Sequence, residues 1–324
     1  MSNDIRLVIL STILSFAVVL LLGPVIIPVL KKFKFGQSIR EEGPKSHLKK
    51  AGTPTMGGVM FIIGIIITSV VVSQRLNSHI GMALLSMVGF GLIGFLDDSI
   101  KIKKRRNLGL RAYQKIIGQL TLSVILSVYA YTSPDIGSAI YVPFTSKLID
   151  LGIWYIPFMV FVIIAVTNAV NLTDGLDGLA SSVTVIVSVF FTIAFCMLGN
   201  RQLAIFCGAI AGGLLGFLRY NSYPAQVFMG DTGSLALGGA VAAIITLMKS
   251  PFIILIVGLI YVMEALSVVI QVGYFKMTSG KRFFKMAPLH HHFEQEGWYE
   301  TKVVALFSII TAICCFIGFL AISL

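Results

Sequence analysis

The chain has 324 residues, 56% hydrophobic and 12% charged, with a net charge of +11 and a mean hydropathy of +0.92. Soluble domains carry roughly 25% charged residues, so this composition excludes a soluble globular protein. It also leaves no room for a separate soluble domain, and one integral membrane domain over residues 1–324 is expected. In such a chain the positive charge belongs to loops beside anionic lipid, not to a nucleic-acid surface.

About 17–25 apolar residues cross a bilayer core, and uninterrupted apolar runs predict ten spans in chain order. They cover 7–30, 55–73, 79–96, 116–132, 153–169, 179–198, 202–218, 234–248, 251–275 and 304–323. The fold class is therefore an all-α polytopic membrane protein of about ten transmembrane helices, with both termini on one side. The first run is too long for a signal-peptide core, contains Pro24 and Pro28 and lacks a small-residue cleavage site, so it reads as a retained span. Span 7 repeats small residues at Ala204, Gly208, Gly212 and Gly216, the spacing of close helix packing. Cys196, Cys207, Cys314 and Cys315 all fall inside apolar runs, which argues for packing roles over disulfides or metal ligation.

The loops after spans 1, 3, 7 and 9 hold 7, 7, 1 and 5 Lys or Arg residues, 20 of the 25 in the chain. That bias places the loops after odd-numbered spans in the cytoplasm and both termini on the extracytoplasmic side. Ten of the 14 acids share the cytoplasmic side: Glu41, Glu42, Asp97, Asp98, Asp174, Asp177, Asp231, Glu294, Glu296 and Glu300. The positive-inside rule makes no demand on Asp or Glu, so the skew points to a polar site at the inner interface. Glu264 alone among the acids lies deep in a span, with Gln271 as a candidate partner.

Five segments on that side can carry chemistry. Lys49-Lys50-Ala51-Gly52-Thr53-Pro54-Thr55-Met56-Gly57-Gly58 offers cations, hydroxyls and backbone donors as the chain enters span 2. Asp97 and Asp98 leave span 3 as adjacent carboxylates, a pair that a hard divalent cation such as Mg²⁺ can hold. The plainer reading is a solvated helix end with Lys101 paired to Asp97 four residues back. The basic run 101–106, with Arg111 and Lys115, suits lipid headgroups and can also steer an anionic substrate. Asn171-Leu172-Thr173-Asp174-Gly175-Leu176-Asp177-Gly178 is an oxygen-rich turn for metal, ribose or base edges, or a simple connector. Between Asn221 and Ser234, Phe228-Met229-Gly230-Asp231-Thr232-Gly233-Ser234 brings glycines and a helix start to a phosphate, unless Asp231 or Ser234 only caps span 8. Last, Pro288-Leu289-His290-His291-His292-Phe293-Glu294 supplies imidazoles, but three consecutive histidines cannot all face one metal. Acids and phosphate-binding groups gathered beside the membrane favour Mg²⁺-dependent phosphoryl chemistry. A carrier or flippase would instead bury its polar groups near the bilayer midplane.

Together these segments resemble the polyprenyl-phosphate N-acetylhexosamine-1-phosphate transferases, and the likeness spans nearly the whole chain. The Pro288–Glu294 segment favours the branch that uses a muramoyl-pentapeptide donor over one using UDP-N-acetylglucosamine. The resemblance implies transfer of phospho-N-acetylmuramoyl-pentapeptide from its UDP derivative to undecaprenyl phosphate, giving lipid I and UMP. It further implies Mg²⁺ as cofactor, a homodimer, and a bacterial cytoplasmic membrane location with the site facing the cytoplasm. By the same likeness Asp231 binds Mg²⁺, Asp97 and Asp98 act on the lipid phosphate, and Lys101 and Lys115 hold phosphates. Lys50, Thr55, Asn171, Asp174, Asp177, Asn221 and Phe228 line a nucleotide pocket, with Phe228 on the uracil, while His290 and His291 meet the sugar or phosphates.

Overall fold

The computed structural model describes residues 2–32, 50, 52–73, 77–104, 108–145 and 147–322. Glu41, Glu42, Lys49, Ala51, Arg75, Arg105 and Arg106, all used in the sequence reading, lie outside the described residues.

Each of the ten predicted spans corresponds to helix. In chain order these are α1 (Ser2–Lys32), α2 (Gly58–Ser73), α3 (Ser78–Lys104), α4 (Ala112–Thr132), α5 (Tyr155–Thr173), α6 (Leu179–Met197), α7 (Arg201–Asn221), α8 (Gly230–Leu247), α9 (Ile254–Val257) with α10 (Leu259–Met277), the short α11 (Leu289–Gln295), and α12 (Glu300–Ile322). Among the described residues, nine helices are long and apolar enough to cross a membrane, and α2 is apolar but shorter. Outward faces carry exposed Leu21, Phe161 and Phe316, the side chains expected against lipid tails.

Three of the differences from the hydropathy reading have a local reason. The ninth span is broken: α9 stops at Val257, Gly258 adopts a non-helical conformation, and α10 resumes at Leu259. Helix α3 runs past residue 96 to Lys104, because its first charged residues are paired and do not force the chain into water. Helix α8 begins at Gly230 and so includes Asp231 in its first turn. A strand pair absent from the sequence reading, β1 (Ala139–Tyr141) and β2 (Leu148–Asp150), joins α4 to α5 with Ile140 opposite Ile149. It is tied down by Tyr141 N–H to the Lys249 carbonyl at 2.7 Å and Phe144 N–H to the Ala321 carbonyl at 3.0 Å.

The bundle is built around α8, buried almost throughout from Thr232 to Leu247, as a helix apolar on every face must be. Its N-terminal half crosses α3 so closely that a Cβ on Gly94 would lie 2.0 Å from the Asp231 carbonyl oxygen. The small-residue ridge of span 7 likewise packs on α1: a Cβ on Gly212 would meet the Thr12 carbonyl at 2.0 Å, and Gly208 and Gly216 abut the same helix. These crossings bring one end of α2, α3, α4, α5, α6, α7, α8 and α12 together, and the candidate site occupies that end.

Candidate active site

The site starts from the end of α3. Asp97 and Asp98 are both buried, and Lys101, one turn later, places Nζ 2.6 Å from Asp97 Oδ2 and 3.6 Å from Asp98 Oδ1. The same ammonium reaches across to Asp231 Oδ2 at 2.8 Å, so the i,i+4 pair exists and is part of something larger. Lys115, from the first turn of α4, stands 3.3 Å from Asp231 Oδ2. Asn171, from the last turn of α5, donates to Asp231 Oδ1 at 2.9 Å and to Ser234 Oγ at 2.7 Å.

Each member of the acid pair is held by backbone as well as by charge. Asp97 Oδ1 accepts the Leu110 N–H at 2.8 Å. Asp98 Oδ2 accepts the Thr232 N–H at 2.9 Å and its hydroxyl at 2.7 Å. Neither Asp231 nor Ser234 caps α8, whose N-cap position is Met229 without a side-chain cap. Gly230, with φ at +69°, lies between Asp98 and Thr55: a Cβ there would sit 2.6 Å from both Asp98 Oδ2 and Thr55 Oγ1. Any other residue would be strained at that φ and would also push into the acids.

Asp97, Asp98 and Asp231 each offer an oxygen within 4.8 Å of the others. Three carboxylates make the hard, all-oxygen donor set that a divalent cation takes, and they fit such an ion. Lys101 shows that a positive charge is wanted there, since its ammonium touches all three.

Beside this cluster lies a second one. The 174–178 turn between α5 and α6 places Asp177 Oδ1 2.6 Å from Lys50 Nζ, and Lys50 also meets Glu300 Oε1 at 2.7 Å. Glu300, first residue of α12, accepts the Asp177 N–H as well. Asp177 Oδ2 in turn accepts the Ala225 N–H at 2.9 Å. Burial pulls the Lys50 ammonium down, yet the hydrogen bonds and charges of Asp177 and Glu300 outweigh it and hold Lys50 above its ordinary value. Asp174 is pushed the other way. Desolvation first, then the charges of Asp231, Asp98 and Asp177, raise its carboxyl to about 8.

The floor of this second cluster is backbone. The extended segment before α2 pairs with the segment before α8: Phe228 N–H meets the Pro54 carbonyl at 2.8 Å and Gly57 N–H meets the Phe228 carbonyl at 2.8 Å. Asn221 is buried, accepting from Ser181 Oγ at 2.9 Å and donating to the Val227 carbonyl at 3.0 Å. Thr55 is buried and Phe228 half-buried along the same segments. His290 stands apart in character, fully buried beneath the 174–178 turn, whereas His291 is half-buried with Nδ1 2.7 Å from Glu294.

The structure thus draws Asp97, Asp98, Lys101, Lys115, Asn171 and Asp231 into one cluster. Lys50 and Asp177 form its neighbour, with Asp174 and Thr55 between the two. Glu300, Thr232 and the Leu110 amide belong to the site without having been singled out by sequence. Glu300 carried one signal, an acid at the start of a span on the side expected to be cytoplasmic. Glu264 is paired with His290, not with Gln271, whose Oε1 accepts the Phe284 N–H at 2.8 Å.

Residues 79–249 match the model of glycosyl transferase family 4, and residues 50–62 match phospho-N-acetylmuramoyl-pentapeptide-transferase signature 1. The chain is 58% identical to the phospho-N-acetylmuramoyl-pentapeptide-transferase of Clostridium novyi (strain NT), over 97% of each chain. It is 55% identical to that of Clostridium kluyveri over 96% of this chain and 98% of the relative. It is 57% identical to that of Clostridium perfringens (strain 13 / Type A) with the same coverage. The signature spans the segment that carries Lys50 and Thr55, and the family match spans both acid-bearing ends of α3 and α8. The chain therefore belongs to glycosyl transferase family 4, within the group of the phospho-N-acetylmuramoyl-pentapeptide-transferases.

Proposed function

We propose that the chain transfers phospho-N-acetylmuramoyl-pentapeptide from its UDP derivative to undecaprenyl phosphate, releasing UMP and leaving lipid I in the membrane for peptidoglycan synthesis. The observation that carries this reading is the carboxylate–lysine cluster at the edge of the spans, in a chain whose relatives bear that activity in their names. Such a place serves both reactants. The polyprenyl tail stays in the bilayer and the nucleotide comes from water.

The reaction joins two anions. An oxygen of the lipid phosphate attacks the sugar-bearing phosphorus, the pyrophosphate P–O bond breaks, and UMP leaves with the electron pair. Repulsion between the phosphates has to be offset before an in-line approach is possible, and Lys101 and Lys115 bring two ammoniums to that point. Asp231, beside Asp97 and Asp98, would hold Mg²⁺, which neutralises phosphate charge when bound. One carboxylate of the Asp97–Asp98 pair takes the proton from the lipid phosphate. Lys50, Thr55, Asn171, Asp174, Asp177, Asn221 and Phe228 form the nucleotide pocket, with Phe228 against the uracil, His291 at the sugar-phosphate end and the buried His290 behind the 174–178 turn. The working unit is a homodimer of single-domain chains in a bacterial cytoplasmic membrane, with both termini outside and the site facing the cytoplasm.

The test compares UMP release from the muramoyl-pentapeptide and N-acetylglucosamine derivatives of UDP, each with undecaprenyl phosphate and Mg²⁺. Release is expected with the muramoyl donor alone. Activity confined to the N-acetylglucosamine donor moves the chain to the other branch of the family, and activity with neither overturns the reading.

A further inference from the structure

Glu264 is fully buried in α10, within a membrane-crossing segment, where a carboxylate is costly unless it is hydrogen-bonded. Both of its oxygens are used on one residue. Oε2 lies 2.9 Å from His290 Nδ1, and Oε1 accepts the His290 backbone N–H at 3.2 Å. With Nδ1 and the backbone N–H of His290 both engaged by Glu264, Nε2 is the far atom of a ring fixed in rotation. That atom is buried with no hydrogen-bond partner. It presses on the 174–178 turn: a Cβ on Gly175 would lie 2.0 Å from Nε2 and 2.5 Å from Cε1.

We propose that Glu264 and His290 form a strut from the membrane interior to the 174–178 turn. Glu264 holds the ring, the ring fills the space that a side chain at 175 would need, and Gly175 sets where its neighbour Asp174 stands. Both are positioning residues. The imidazole of His290, closed off beneath Gly175, acts on the donor through that turn, and His291 is the histidine left at the surface of the site. The inference rests on reading the Asp174–Asp177 turn as donor-binding.

The test is a double-mutant cycle on the full-length protein in bilayer or detergent. Gly175→Ala, His290→Ala and Glu264→Gln are each expected to lower kcat/KM for the UDP donor roughly tenfold or more, with KM for undecaprenyl phosphate held within about twofold. In the His290→Ala background the ring is gone, so Gly175→Ala and Glu264→Gln should each cost nothing further. His290→Asn, which keeps a donor for Glu264 but lacks the outer ring atoms, should relieve Gly175→Ala in the same way if His290→Ala fails to fold. Losses that multiply in the double variants, or wild-type kinetics for Gly175→Ala, overturn the strut. Absence of lipid I with the wild-type chain counts against the functional reading instead. The strut is then judged by the same cycle in melting temperatures, where coupling between positions 175 and 290 is expected and additivity refutes it.

Discussion

Asp231, on α8, stands where three other spans meet, with Lys101 and Lys115 on one oxygen and Asn171 on the other. Removing its carboxylate leaves two ammoniums and an amide facing a void, and takes away the central member of the three-acid set. Asp231→Ala is expected to reduce lipid I formation by about 10³-fold or more, while size-exclusion behaviour and helix content stay as in the wild type. Retained turnover would remove Asp231 from the mechanism. Asp174 allows a different test, because its carboxyl sits at about 8 in the folded, metal-free chain and an unfolded aspartate titrates near 4. Between those values the folded chain keeps a proton that the unfolded chain has lost. Stability contributed by this group therefore falls as pH rises through that window, by up to about 1.4 kcal/mol per pH unit. Asp174→Asn should flatten that part of the melting-temperature profile, and equal slopes in both proteins would show that Asp174 is not the group responsible.

At the scale of helices, the crossing of α1 and α7 is set by three glycines, of which Gly212 is the tightest, with Thr12 backbone in the place of its missing Cβ. Gly212→Leu has to push α1 away, and overpacking of this kind costs about 1–3 kcal/mol. A lower melting temperature in detergent is expected, and an unchanged one would mean the two helices can slide apart without penalty. Spans of this sort were legible in sequence because burial in lipid imposes a long apolar run, and the small-residue ridge was legible because its spacing of four matches one helix face. Helix ends were not. Hydropathy stops α3 at its first charge, yet Asp97 and Asp98 stay helical because Lys101 one turn on, and Leu110 and Thr232 from elsewhere in the chain, satisfy them. The same limit hid Glu300: its partners, Lys50 and Asp177, are 250 and 123 residues away. Glu300→Gln keeps an acceptor for the Asp177 amide but loses the charge that steadies Lys50. A donor KM raised about threefold or more is expected, with kcat less affected; the reverse pattern would place Glu300 in the chemical step.

For the molecule as a whole, sidedness is the property on which the functional reading depends. Eight helix ends converge on the acids and lysines, while the β1–β2 pair and Lys147 lie toward the other end of the bundle, between α4 and α5. In the orientation proposed from the distribution of Lys and Arg, the acid-bearing end faces the cytoplasm, where a nucleotide sugar is made, and Lys147 lies outside. Lys147 and Lys285 are both exposed, on loops assigned to opposite faces, so cysteines at these two positions report on orientation without touching the acid cluster. In intact right-side-out vesicles a membrane-impermeant maleimide should label Lys147→Cys and leave Lys285→Cys unlabelled above the parent chain. Permeabilising the vesicles should expose Lys285→Cys and, in the same preparation, switch on UMP release from externally added donor. Labelling of Lys285→Cys before permeabilisation would invert the topology, and the site would then face a compartment that holds no nucleotide donor.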